Sequence, residues 1–459
     1  MIIILPAIVF SAASYFICQL LFKNCRFRLT PLISPLNWFL FLFFLQMVLV
    51  PMDVAVVGPS IAFLPFMPSY TAINIALLMN TVAYWSFCGA VQIYHKRQST
   101  IVINSYGISA RSWFPPAWMI VTFAILGITG IALRFGTPKN LIDYFTDPQS
   151  YLLGRLTEME GPTTPAEAAS TFLMYFFPFS LILLWCRGAY QDRRKKGILS
   201  YAIPPILIMA VALSASLNNY NKAGFVIPIV AVAAVIAKRG VSGNILKFAG
   251  LGTFVAVLLL IIFSYRLLFT TYGDVNTNNY DLTAMNDLFQ DYGTAPQYLG
   301  FLLQSTDYAE NPSLGRVFIR SSLSPVPIVG KSFREQSGTF IYNRLLSRSD
   351  QPPTTVGELF LDFSVFGVIA GFLAVGFFTA ILQNSFEVSN EPFEVYILQL
   401  VSICLSYFVV CGIEEVSQLA IYSLWPVYCF MLYRSVTKSR RSHCEDTAKI
   451  GISKLLMTE

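Results

Sequence analysis

Runs of about twenty apolar residues recur from one end of this chain to the other, and they constrain its fold more than any other feature. A helix of that length crosses the hydrocarbon core of a bilayer, where only helices and closed barrels satisfy their backbone hydrogen bonds. Of the 459 residues, 55% are hydrophobic and only 12% are charged, which is about half the charged share of a soluble domain. These features predict an all-α, polytopic membrane protein.

The apolar runs predict about eleven membrane helices, in a single membrane domain that covers residues 1–459. The predicted helices lie at 2–22, 32–50, 71–93, 117–134, 167–186, 199–217, 223–237, 245–270, 355–382, 394–412 and 417–433. The first run has no positively charged segment before it. We therefore interpret it as a retained helix and not as a signal peptide.

Basic residues are unevenly distributed among the segments that connect these helices. They concentrate at 23–30, 94–116, 187–198 and 238–244 and in the tail at 434–459. Because cytoplasmic loops are enriched in Lys and Arg, the pattern predicts an N-terminus outside and a basic cytoplasmic tail. The segment at 383–393 departs from the pattern, with Glu387 and Glu391 and no base, but acidic residues contribute little to orientation.

One long polar segment, at 271–354, interrupts the apolar pattern, and the same topology makes it a large outer loop between the eighth and ninth helices. Its first part carries acidic residues and no base, whereas its second part is mainly basic. The bases of the second part are Arg316, Arg320, Lys331, Arg334, Arg344 and Arg348. If the protein does chemistry, we expect it in this loop.

Two arginine pairs in the loop, Arg316 with Arg320 and Arg344 with Arg348, have i,i+4 spacing, so each pair lies on one face of a helix. A shared anion offsets their mutual repulsion, and the planar guanidinium matches phosphate oxygens. The four arginines are therefore candidates for binding a lipid diphosphate, and Lys222, in a short outer turn, is another. The alternative is that the arginines neutralise the acidic first half of the loop.

Glu358 and Asp362, which open the ninth predicted helix, also have i,i+4 spacing. A general base that activates a hydroxyl must be a carboxylate or a histidine close to the reacting atom. Both histidines, His95 and His443, lie on the predicted inner side, so the two carboxylates are the candidate catalytic residues. The alternative for Glu358 is a capping box, in which its side chain accepts a hydrogen bond from the backbone N–H of Thr355.

The segment from Pro352 to Phe378 resembles the one that comes after the large loop in Wzy-type oligosaccharide repeat-unit polymerases, the O-antigen and exopolysaccharide polymerases. The shared features are a loop that ends in Pro and Thr, a Gly-Glu pair, an aromatic residue and a Phe-Gly pair. These positions are Gly357, Glu358, Phe360, Phe366 and Gly367. A second similar region lies at 217–224, where Lys222 stands in place of an arginine that the family often has.

The resemblance implies a metal-independent membrane glycosyltransferase without a cofactor. It would transfer a growing glycan from undecaprenyl diphosphate to a hydroxyl of the next lipid-linked repeat unit, on the outer face of a bacterial cytoplasmic (inner) membrane. Its partners would be the undecaprenyl-diphosphate-linked oligosaccharide, membrane lipid and a chain-length regulator, and no nucleic acid. The four arginines and Lys222 would stabilise the departing diphosphate, and Glu358 would be the first choice for the base.

Three other functions stay open. A lipid-linked glycan ligase would carry a histidine in the large outer loop, and this loop has none. A polyprenyl-phosphate-sugar glycosyltransferase would carry an acidic pair in its first outer loop, where this chain has only Asp53. A transporter or flippase of lipid-linked sugars would show internal repeats or charges at the membrane midplane, whereas the charges here cluster near the outer ends of the predicted helices.

Overall fold

The structure is a computed structural model, and it is all-helical, without strands, in the part of the chain that it describes. The described residues are 3–23, 34–60, 64–100, 116–146, 165–191, 231, 234, 235, 286, 287, 289, 290, 293–305, 312–326, 330–346, 354–389 and 391–435. The predicted helices at 199–217 and 245–270, nearly all of the one at 223–237, and the tail from 436 onward lie outside these residues.

The described helices vary from single turns to elements longer than a bilayer is thick. They are α1 (Leu5–Lys23), α2 (Pro35–Phe44), α3 (Val50–Val56), α4 (Tyr70–Thr100), α5 (Ala117–Phe135), α6 (Pro138–Thr146), α7 (Pro165–Met174), α8 (Phe176–Gln191), α9 (Pro296–Ser305), α10 (Arg316–Leu323), α11 (Gly330–Arg334), α12 (Gly338–Leu346), α13 (Thr355–Val388), α14 (Pro392–Val410), α15 (Ile413–Gln418) and α16 (Trp425–Ser435). Two π-helical turns, Leu45–Leu49 and Leu419–Ser423, come directly after α2 and α15.

Six segments in the described ranges are long and apolar enough to cross a membrane. They are Pro35–Val56, Tyr70–Arg97, Ala117–Phe135, Ala169–Arg187, Thr355–Val388 and Pro392–Val410. Ile413–Ser423 and Trp425–Ser435, which meet at a bend of 51°, form a seventh if they cross together. The described part of the chain thus confirms an all-α fold with helices long and apolar enough to span a membrane, whereas the predicted count of eleven helices and the outer loop stay predictions.

The bundle is organised around α13, which packs along α4 in the same direction. Close backbone contact is possible because Gly376 has no side chain: a Cβ there would lie 2.5 Å from the carbonyl oxygen of Phe87. The start of α13 is held to the end of α14, since the N–H of Thr355 donates to the carbonyl of Cys411, just after α14. α14 therefore runs antiparallel to α13. We call the end of the bundle at which Thr355 meets Cys411 the Thr355 end.

At the opposite end, the side chain of Gln383 in α13 accepts a hydrogen bond of 3.0 Å from the N–H of Leu36, at the start of α2. The acidic segment at 383–393 also lies there, and Arg434 donates to Glu394 at 3.2 Å. Burial raises the pKa of Glu391, the nearby Glu394 raises it further, and Arg434 opposes both effects. Arg434, the first residue of the predicted basic tail, therefore lies near the end of the acidic segment, at Glu391.

The segment predicted as a large outer loop carries four helices in its described part, α9 to α12. Of these, α9 is built into the core, because all residues from Pro296 to Leu302 are buried. It packs between the first turns of α4 and α13: a Cβ on Gly300 would lie 3.1 Å from the backbone of Ala72, and a Cβ on Gly357 would lie 2.6 Å from Leu302. The loop is therefore fastened to the Thr355 end of the bundle.

Candidate functional site

Glu358 lies in the first turns of α13, where α10, α12 and α15 come together around it. Its side chain is 0% exposed. Its Oε1 accepts a hydrogen bond of 2.7 Å from the hydroxyl of Ser321 in α10. Its Oε2 accepts one from the backbone N–H of Ile413, the first residue of α15. Both oxygens of this buried carboxylate therefore have donors, and the donors come from two separate elements.

Ser321 connects this carboxylate to a third element. Its Oγ accepts a hydrogen bond of 2.9 Å from the N–H of Gly338, the first residue of α12. A Cβ on Gly338 would lie only 2.1 Å from Oε1 of Glu358, so the close approach of α12 requires a residue without a side chain. The first N–H groups of α12 and α15 both point to the cluster, and such groups carry the partial positive charge of a helix N-terminus. We call Ser321, Gly338, Glu358 and Ile413 the Glu358 junction.

The alternative role of Glu358, a capping box with Thr355, is wrong. The N-cap of α13 is Thr354, whose hydroxyl accepts a hydrogen bond of 3.0 Å from the N–H of Gly357. Thr355 instead donates both its N–H and its hydroxyl to the carbonyl of Cys411, at 2.9 and 2.7 Å. The carboxylate of Glu358 is thus directed to α10 and α15 and not back to its own helix.

Asp362 lies where α13 breaks. Phe363 and Ser364 leave the helical conformation, and Ser364 has a φ of 57° and a ψ of −152°. The fully buried carboxylate of Asp362 accepts four hydrogen bonds from the segment that begins α10. The donors are the hydroxyl of Ser313 and the backbone N–H groups of Gly315, Val317 and Phe318. Because a carboxylate has about four acceptor positions, this arrangement favours a positioning role, in which Asp362 caps α10 from a distant part of the chain.

Two further carboxylates, Glu414 and Glu415, lie close enough to Glu358 to repel its charge. Each has one carboxylate oxygen that is buried without a hydrogen-bond partner in the described structure. Both residues belong to the first turn of α15, whose N–H group at Ile413 holds Glu358. The junction therefore brings three acidic side chains together, of which only Glu358 was predicted from the sequence to be catalytic.

The predicted arginines that the structure describes lie on two of the helices around Glu358, α10 and α12. Arg316 and Arg320 are on α10, and Arg344 is on α12; the side chains of Arg316 and Arg344 are exposed and that of Arg320 is partly exposed. None of the three forms an ion pair with a described acidic residue. Lys222 and Arg348 lie outside the described residues, as do all acidic residues of the first half of the loop except Asp287.

A second buried polar cluster fastens the segment before α9 to the end of α3. The amide nitrogen of Gln290 donates to Asp53 at 2.8 Å and to the carbonyl of Gly58 at 2.9 Å. Its amide oxygen accepts from the N–H of Ser60 at 2.8 Å and from the side chain of Gln297 at 2.7 Å. Asp53 is thus part of an amide network. This network was not predicted from the sequence, because buried glutamines give no charge or periodicity signal.

Within the described ranges, no three His, Cys, Asp or Glu side chains are arranged to hold a metal ion. Comparisons with protein-family models, with curated proteins and with solved structures find no match. The resemblance to Wzy-type polymerases therefore stays a prediction, and any functional proposal for this chain depends on the geometry of the Glu358 junction.

Proposed function

We propose that the protein polymerises lipid-linked oligosaccharide repeat units into a surface polysaccharide. The observation that supports this proposal best is that α10 and α12, which enclose Glu358, also carry Arg316, Arg320 and Arg344. At the start of α13, the same group of helices thus supplies carboxylates for proton transfer and guanidinium groups that can bind a diphosphate. Binding two lipid-tethered substrates at such a place would also bring them into proximity.

In the proposed reaction, the oxygen of an acceptor hydroxyl forms a bond to the anomeric carbon of the growing glycan. The bond from that carbon to undecaprenyl diphosphate breaks, and its electron pair leaves with the diphosphate. The hydroxyl proton passes to a carboxylate of the junction. The arginines offset the charge that develops on the leaving diphosphate.

Two carboxylates could accept the proton. Glu358 is our first choice, but it is buried with both oxygens occupied, so a substrate hydroxyl can reach Oε1 only if Ser321 moves away with α10. Glu415 is partly exposed as a residue, and one of its carboxylate oxygens has no hydrogen-bond partner, although that oxygen itself is buried. If α10 does not move, Glu415 takes the role of the base and Glu358 positions α15.

The proposal can be tested in a host strain that lacks its own polymerase for the glycan. We expect the wild-type chain to restore a ladder of repeat lengths on a gel. Glu358→Gln should leave single repeats, and Arg344→Ala should reduce the longer products at least about tenfold, as expected for the loss of one charge-stabilising group. Glu335→Gln and Arg334→Ala are matched controls, because both side chains are exposed on the same segment, and they should keep the ladder.

The same strain distinguishes the two carboxylates. If Glu415→Gln abolishes the ladder while Glu358→Gln keeps part of it, Glu415 is the base. If wild type restores the ladder and all three variants at Arg344, Glu358 and Glu415 do so equally well, the polymerase function holds and the proposed site does not. Membrane levels of each variant must be equal for either conclusion.

One observation favours a second function, a transporter of lipid-linked sugars. The Ile413–Ser423 and Trp425–Ser435 helices meet at a bend of 51° around Leu424. Helices broken within a membrane domain are typical of transporters, where the break lines the substrate site. If the wild-type chain moves lipid-linked repeats across the membrane without changing their length, the transporter is the correct function and the polymerase proposal fails.

A further inference from the structure

α10 has two faces of different character. Val317 and Ser321 are buried on one face, where Ser321 binds Glu358. The opposite face is apolar and open: Ile319 is 54% exposed, Phe318 is also exposed, and Leu314, just before the helix, is 78% exposed. Apolar side chains at the surface of a membrane protein usually face lipid, so this face needs an explanation in terms of its surroundings.

The exposed apolar surface of α10 continues onto α13. Phe363 packs on Gly315, where a Cβ would lie 3.0 Å from the ring. Phe366, after the break, is 81% exposed. Exposed apolar residues then recur at helical spacing along the span, at Phe366, Ala370, Ala374, Phe378 and Ile381. Such a stripe on a membrane-spanning helix faces lipid, and α10 extends it at the Thr355 end.

The length of α13 places the break near the membrane surface. Its 34 residues amount to about 51 Å of helix, whereas the hydrocarbon core of a bilayer is about 30 Å thick. The part after the break, 365–388, is about 36 Å long and spans the core by itself. The break, and α10 which Asp362 fixes to it, therefore lie at the level of the lipid headgroups.

Two positively charged side chains lie beside the exposed apolar surface of α10. Arg316 and Arg320 have i,i+4 spacing on α10, next to its exposed apolar residues, and neither forms an ion pair with a described residue. An amphipathic helix with arginines beside an apolar face lies in the membrane interface and binds anionic lipid. The planar guanidinium is suited to hydrogen-bond a phosphate group.

We propose that α10 lies in the headgroup layer of the membrane and binds the phosphate of an anionic bilayer lipid. Leu314, Phe318 and Ile319 insert at the boundary with the acyl chains, and Arg316 and Arg320 hold the phosphate. Because Ser321 on the buried face of the same helix binds Glu358, the lipid contact also fixes the position of the Glu358 junction. This lipid site goes beyond the proposed function: the bilayer lipid occupies the two arginines when no undecaprenyl diphosphate is bound to them, and the site holds whether or not the chain polymerises glycans.

The insertion is tested by photo-crosslinking of the full-length protein in vesicles of phosphatidylethanolamine and phosphatidylglycerol, without any glycan substrate. A benzoylphenylalanine in place of Ile319 should form lipid adducts that mass spectrometry detects. Phe366 is the positive control site, and Gln336, an exposed polar residue between α11 and α12, is the negative control site. Adducts at 366 without adducts at 319, or equal adducts at 319 and 336, would overturn the proposal.

The headgroup contact is tested with the same probe at position 319. A double Arg316→Gln and Arg320→Gln variant should lower the ratio of phosphatidylglycerol to phosphatidylethanolamine adducts by roughly fivefold for each charge removed. Arg334→Gln, an exposed arginine on α11, should leave the ratio unchanged. If the double variant keeps the wild-type ratio, these arginines do not bind the phosphate and the proposal fails.

Discussion

A buried carboxylate is tolerated inside a membrane protein only when other groups compensate its charge. At Glu358 the compensation comes from a hydroxyl and from a backbone N–H group, and no described cation contributes. The sequence pattern indicated Glu358 but neither Ser321 nor Ile413. These partners lie 37 and 55 residues away along the chain, and helical periodicity carries information only over a few turns.

Ser321 should contribute measurably to the stability of this junction. Ser321→Ala removes the donor to Glu358 and the acceptor of the Gly338 N–H, so we expect it to lower the free energy of unfolding by about 1–3 kcal/mol, as for other buried groups left unpaired. Ser322→Ala, at the neighbouring and partly exposed position, should change it by less than about 0.5 kcal/mol. Thermal unfolding in detergent measures both, and equal effects would mean that the Ser321 hydroxyl is unimportant.

Replacement of Gly338 should also destabilise the junction, because a side chain at this position has no room. Gly338→Ala places a Cβ against Oε1 of Glu358, and we expect a loss of about 1–3 kcal/mol from overpacking. Gly89→Ala is the matched control, because Gly89 lies within α4 and a Cβ there meets nothing within 4 Å. It should be neutral or stabilising by up to about 1 kcal/mol. A stable Gly338→Ala protein would show that α12 does not approach Glu358 this closely.

At the scale of elements, the sequence predicted α13 well but not its break. No proline or glycine stands at Phe363 or Ser364, so the local signals for a helix end are missing. The break is explained by contacts with a distant segment: the carbonyl groups of Leu361 and Asp362 accept hydrogen bonds of 3.0 Å from the N–H groups of Ser313 and Leu314. Tertiary hydrogen bonds thus replace the helical ones that the break removes.

Asp362 should matter for the order of α10 more than for chemistry. Asp362→Ala removes four hydrogen bonds from the start of this helix, and a lost cap alone costs about 1 kcal/mol. We expect faster hydrogen exchange at residues 313–318, measured by mass spectrometry on the protein in detergent. Glu335→Ala, at an exposed position on the same segment, should leave this exchange unchanged. Unchanged exchange in Asp362→Ala would contradict the capping role.

At the scale of the whole molecule, the orientation that the basic segments predict for the bundle stays a prediction. The burial of α9 was not predicted. Its ten residues, Pro296–Ser305, are too few to cross a bilayer, and Gln297, Tyr298 and Gln304 interrupt its apolar pattern. Its place in the core comes from contacts with α4 and α13, which lie far away in the sequence.

The predicted orientation of the bundle is open to a labelling experiment. We expect Gln336→Cys, at the Thr355 end, to react with a membrane-impermeant thiol reagent in intact cells. Lys96→Cys, at an exposed position near the opposite end of α4, should react only after the cells are permeabilised. The wild-type chain provides the background from its natural cysteines. The reverse pattern of labelling would place the Glu358 junction on the cytoplasmic side.

The most direct test of the polymerase proposal uses the purified protein in vesicles with a synthetic undecaprenyl-diphosphate-linked repeat unit. Mass spectrometry would measure the length of the glycan and the amount of free undecaprenyl diphosphate. We predict that wild type makes chains of more than one repeat and releases one undecaprenyl diphosphate for each new linkage, and that Glu358→Gln does neither. If wild type leaves every repeat unit single and releases no lipid diphosphate, the protein is not a polymerase.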